Sequence, residues 1–228
     1  MHNILVIIKK QIRDTFKNKT VLIQFILFPL MTMVMENAVK IESMPEFFFI
    51  KLFAVMYIGM APFVTTASMI AEEKERNTLR VLMMADVKPW QYLTGIGVYV
   101  LALCMAGACV MSIGLPTSDR GFFLLIMGIG FIISIIAGAC VGIFSRSQMM
   151  ATSLTMPFMM VFSFAPMLSL FNENIKRYAT VVFTQQLRIM FDRMSFEGTT
   201  QKEIIVLCGS VALCVGTFIF AYQRKGLD

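Results

Sequence analysis

The sequence predicts an all-α membrane protein with six transmembrane helices, and three observations lead there. Hydrophobic residues fill 57% of the 228 positions, charged residues only 15%, and mean hydropathy is +0.75, whereas about a quarter of a soluble domain is charged. Six apolar runs, roughly 21–39, 47–71, 91–115, 121–144, 149–170 and 204–222, stand along the chain. A helix rising about 1.5 Å per residue needs about 20 apolar residues to cross a hydrocarbon core of about 30 Å, and these runs supply them. The net charge of +6 lies in short flanks beside the runs, not in one stripe with interleaved aromatics. That pattern points to lipid contact and orientation, and away from nucleic acid.

An even number of spans puts both ends on one side. Segments 1–20, 72–90, 145–148 and 223–228 carry 12 Lys and Arg, against 7 in segments 37–46, 116–120 and 171–203. The excess predicts both ends in the cytoplasm. The whole of 1–228 then reads as one transmembrane domain, with an interfacial helix at 1–18, a cytoplasmic segment at 72–90 and an outer-surface segment at 171–203.

Residues 1–18 form an amphipathic helix lying on the membrane. At about 100° per residue, Ile4, Leu5, Ile7, Ile8, Ile12 and Phe16 share one half of the wheel, and Lys9, Lys10, Arg13 and Lys17 the other. One half meets acyl chains and the other meets phosphates. The first span follows; its clean apolar run stops at Met35, so Glu36 and Asn37 sit near the outer headgroups. The second span runs beyond the membrane as Ala71-Glu72-Glu73-Lys74-Glu75-Arg76. Asn77-Thr78 offers a turn or cap, Leu79 to Met84 a short helix, and Pro89 the opening of the next helix, with Trp90 and Tyr92 at headgroup level.

In the fourth span, Gly130, Ser134, Gly138 and Gly142 recur every fourth residue and so stack on one helix face. Small residues admit close backbone approach, the usual contact between helices in lipid. The fifth span contains Pro157 and Pro166, with Thr152, Ser153, Thr155, Ser163 and Ser169 along its length. Each proline frees a carbonyl four residues back, which a nearby hydroxyl can satisfy. Met149, Met150, Met156, Met159, Met160 and Met167 surround those positions with adaptable apolar side chains. Residues 171–203 are too polar to span but keep an apolar core, Val181-Val182-Phe183 and then Leu187, Ile189, Met190 and Phe191, which predicts one or two short outer helices dipping partway in. The last span ends at Tyr222, with Arg224 and Lys225 just beyond. Cys104, Cys109, Cys140, Cys208 and Cys214 all fall within apolar runs and read as packing residues.

The segment 72–89 is where chemistry concentrates. Leu79, Leu82 and Met83 can share an apolar face, and Arg76 and Arg80, four apart, suit carboxylate partners. Such a helix can seat in a groove of another protein and pass movement to both attached spans.

The string Glu73-Lys74-Glu75-Arg76-Asn77-Thr78-Leu79, then Leu82 and Val87-Lys88-Pro89-Trp90, resembles the signature after the second span of type-2 ABC transporter permeases. Asn77 stands where that family usually has glycine; asparagine also tolerates positive φ. The proline falls later than in the family, after Asp86-Val87-Lys88. The resemblance covers the whole chain. It implies a permease subunit that pairs with a second permease chain, the same or homologous, and binds two copies of a separate ABC ATPase, with ATP and Mg²⁺ held in that partner and no cofactor in this chain. The sequence agrees, since no G-x-x-x-x-G-K-[ST] phosphate loop is present. On this reading Glu73, Glu75, Arg76, Thr78, Leu79, Arg80, Leu82 and Met83 couple the ATPase, as a coupling helix between the second and third spans. A translocation path between the first and fifth spans would take Phe28, Met31, Met35, Thr155, Met156, Met159, Met160, Ser163 and Met167. Such a path, Met- and Phe-rich and nearly uncharged, favours an amphipathic cargo: a drug, an antimicrobial peptide or a lipid.

Three rivals were weighed. An ion-coupled secondary transporter usually holds an ionisable residue near the bilayer centre, and no span here does. An intramembrane protease using Glu72 and Glu73 needs histidines, and His2 stands alone. A non-transporting membrane anchor or regulator of an ATPase keeps the same surface and differs only in moving nothing.

Overall fold

A computed structural model describes residues 2–17, 19–39, 45–85, 87–195 and 200–225. The side chains of Ile4, Phe16, Lys17, Tyr222, Arg224 and Lys225 lie outside the described residues, as does Asp86. Ten helices make up the described fold: α1 (His2–Lys17), α2 (Lys19–Ala38), α3 (Phe48–Glu75), α4 (Thr78–Met84), α5 (Pro89–Ser112), α6 (Thr117–Phe144), α7 (Gln148–Leu168), α8 (Glu173–Ala179), α9 (Phe183–Arg193) and α10 (Gln201–Lys225). Five of these, α3, α5, α6, α7 and α10, are long and apolar enough to cross a membrane. Helix α2 runs Lys19–Ala38, and its described residues include the apolar stretch Leu22–Ala38.

Helix α3 is the centre of the bundle, with α2, α5, α6, α7 and α9 all packed around it. The small-residue face of α6 is what lets it come close. A Cβ added at Gly138 would lie 2.4 Å from the Phe63 carbonyl oxygen, and one at Gly142 would lie 2.8 Å from Ile70 Cβ. Gly130 likewise faces Ile58 and Leu187, and Ser134, fully buried, donates its hydroxyl to the Ile58 carbonyl at 2.7 Å. That last bond has a specific cause. Pro62 lies inside α3 and cannot donate to the carbonyl four residues back, which is Ile58.

Helix α7 repeats the device. Pro166 leaves the Phe162 carbonyl without its helical donor, and Thr184 of α9 supplies one at 2.6 Å. The carbonyls freed by Pro62 and Pro166 are thus each met by a hydroxyl from a neighbouring helix, which suits an apolar surround. Aromatic rings fill the space between: Phe28 of α2 lies 5.8 Å from Tyr57, which meets Phe131 of α6 edge-on at 5.4 Å.

Helix α1 departs from its expected orientation. Its buried stripe is Ile7, Gln11 and Thr15, with Ile7 seated against Gly95 of α5, while Leu5, Val6 and Ile12 are exposed. The stripe includes polar Gln11 because a buried carboxylate of α3 waits beneath it, as described below.

Candidate coupling site

At Arg76 and Asn77 the chain turns out of α3. Asn77 takes the left-handed conformation, φ 55° and ψ 12°, and α4 begins at the next residue. Asparagine bears that conformation better than most residues because its short polar side chain tolerates it. Thr78 then donates its hydroxyl back to the Glu73 carbonyl at 3.1 Å, closing the corner.

The charged residues before this corner each reach a different partner. Glu73 is buried, and its carboxylate takes Lys10 Nζ of α1 at 2.8 Å and the Gln11 side-chain amide. Tyr92 of α5, also fully buried, lies beside the same carboxylate. The Tyr92 phenol is enclosed by the protein. Trp90 remains exposed. Lys74 donates to the Ile143 carbonyl at 2.9 Å, in the last turn of α6. Glu75 accepts from the Gln148 backbone N–H at 2.8 Å, the first residue of α7. A cation at a helix C-terminus and an anion at an N-terminus both meet the favourable end of the helix dipole, typically about 0.3–1 kcal/mol each. Glu72 and Arg76 pair on the surface at 2.8 Å, an exposed contact worth at most about 1 kcal/mol. A cavity of about 80 Å³ lies among Lys10, Gln11, Glu72, Glu73, Arg76 and Thr78.

Helix α4 turns its apolar face inward. Leu79 is 1% exposed and Leu82 and Met83 are half-buried against the same core. The face these residues were expected to offer a partner is thus covered by the chain itself. Outside stand Arg80, Val81 and Met84, the last two 63% and 74% exposed. Arg80 makes no ion pair among the described residues.

The nine residues read as a path divide. Phe28, Thr155 and Ser163 are buried within the chain, Ser163 against Gly59 of α3; Met35, Met159 and Met167 are half-buried; Met31, Met156 and Met160 are exposed. Helix α2 packs on α3 and α5, and α7 on α3, α8 and α9. At the far end from α4, α9 is wedged among α3, α6, α7 and α10. There Arg188 donates to the Pro166 carbonyl at 2.7 Å and to Ser169 Oγ at 3.0 Å. Burial pulls its guanidinium below its ordinary range, an effect that Asp192 partly offsets. Arg193 pairs with buried Glu203 and so ties α9 to α10.

Lys10, Gln11, Gln148 and Thr184 were not anticipated. Gln11 carries a faint signal, a polar residue four from Ile7 and four from Thr15, which marks a second stripe on the α1 wheel.

Long apolar helices around a buried central one, with charged residues gathered at one end, define a multi-pass membrane protein. The family model for ABC-2 family transporter protein matches residues 2–221, and the chain belongs to that family. It is a transmembrane component of the transporter and not the ATPase. No curated protein matches the chain.

Proposed function

We propose that this chain is the membrane permease subunit of an ATP-driven exporter in a bacterial plasma membrane. In this reading α2 is the sixth span, both termini are cytoplasmic, and two copies of a separate ATPase dock against α4. A second permease chain, the same or homologous, meets the exposed faces of α2 and α7, and an amphipathic cargo passes between them. The observation that carries the proposal is the corner at Asn77: a short helix whose outer face is open and whose attached charges reach α1, α6 and α7. A push on Arg80, Val81 and Met84 would reach α1, α6 and α7 through Glu73, Lys74 and Glu75 at the end of α3. The open apolar surface on α7, including Met156, Phe158, Met160 and Val161, supports pairing there.

The test is co-purification with a candidate ABC ATPase co-expressed from the same genome, then transport in vesicles. Arg80→Glu with Met84→Asp should abolish assembly while leaving the isolated permease folded, since both side chains are exposed. Full assembly and ATP-driven export by that variant would sink the docking face. Assembly of the native pair with no cargo moved would favour the anchor reading.

A further inference from the structure

We propose that a groove at the α9 end of α3 binds the phosphate headgroup of an anionic lipid. The groove encloses about 290 Å³. Pro45, Phe48, Leu52 and Leu170 make its walls apolar, and Lys51, Arg188 and Asp192 bring charge to it.

The charges are not self-satisfied. Arg188, whose side chain is 14% exposed, is held by the Pro166 carbonyl and Ser169 Oγ through Nη1, while Nη2 reaches Asp192 only at 3.7 Å. That distance is long for a charge-assisted hydrogen bond, which is ordinarily about 2.7–2.9 Å. Lys51, half-buried, makes no ion pair among the described residues. Among the described residues that line it, two cations stand against one carboxylate, with Glu36 nearby committed to the Ile50 backbone N–H at 3.3 Å, and backbone-anchored Arg188 keeps its place whether or not Asp192 is engaged.

The occupant follows from shape and position. Lys51 stands in the first turn of α3, a helix long and apolar enough to cross a membrane, so the groove opens at headgroup depth. Its volume is at the lower bound of the roughly 300–1,000 Å³ typical of sites that swallow a whole ligand. It suits a headgroup, with the acyl chains outside along Phe48 and Leu52. A free phosphate would satisfy the cations and leave the apolar walls uncovered. Nothing in this assignment depends on an ATPase partner or on export.

The test uses the full chain in phosphatidylcholine nanodiscs containing a minor fraction of phosphatidylglycerol, with retained lipid read by native mass spectrometry. The native chain should retain phosphatidylglycerol preferentially, and Lys51→Gln should lower that preference about fivefold, the worth of one cation near a lipid surface. Arg188→Gln should do the same, but it also loosens α9, so Lys51→Gln decides. Equal preference in the native chain and Lys51→Gln would overturn the site. Thermal stabilisation by soluble glycerol phosphate, lost in Lys51→Gln, would overturn the lipid and leave a site for a free anion.

Discussion

The two halves of α3 are held by opposite means. Toward α4, Glu73, Lys74 and Glu75 fasten it to α1, α6 and α7 through charged side chains, Glu73 buried and Glu75 exposed. Through its middle, Gly138, Gly142 and Ser134 of α6 press on its backbone, and one hydroxyl completes the bond that Pro62 forfeits. Contacts of the first kind depend on a few long side chains and can exchange partners. Those of the second depend on shape and have no alternative arrangement of similar energy. On the proposed reading, motion would enter at the charged end and the middle would pass it on as a unit.

The sharpest way to break this contrast is Gly138→Leu, which drives a branched side chain into the Phe63 carbonyl. Overpacking ordinarily costs about 1–3 kcal/mol, and because backbone here meets backbone, the cost should reach or pass the top of that range. Thermal unfolding in detergent should show it as loss of the folded species, whereas near-native stability would mean α3 and α6 can slide. Next in size is Lys10→Met, which leaves the buried Glu73 carboxylate with Gln11 as its remaining donor. Removing one partner of a buried pair costs about 3 kcal/mol, less here because Lys10 is one-third exposed. Adding Glu73→Gln should return part of the loss; if the double variant is no better than Lys10→Met, the two residues are not coupled. Smallest are Ser134→Ala and Thr184→Val, each uncovering one proline-freed carbonyl for about 1 kcal/mol. These two should be alike and additive, lying on different helices, and a double-mutant cycle with a large interaction energy would tie the two bends together.

Much of the bundle could be read from local pattern. A four-residue spacing of Gly and Ser marks a close helix contact, and a proline in a span demands a hydroxyl for the carbonyl four back; both rules work on one helix at a time. What they leave open is the partner. Nothing near Glu73 in the chain points to Lys10, 63 residues earlier in the numbering, and nothing near Pro166 points to Thr184. An aromatic at a helix start can face lipid or protein, and the sequence alone does not show that Tyr92 is enclosed. The inward turn of Leu79 was missed for a related reason: an apolar face on a short helix looks the same whether its own chain or another protein covers it.

Lys74 and Glu75 are neighbours of opposite sign, and each meets the one helix end that suits it. Interchanged, they would aim an ammonium at an amide donor and a carboxylate at a carbonyl, turning two attractions into two repulsions. The order of these two letters therefore favours, by a modest margin, the alignment in which α6 finishes and α7 begins beside α3.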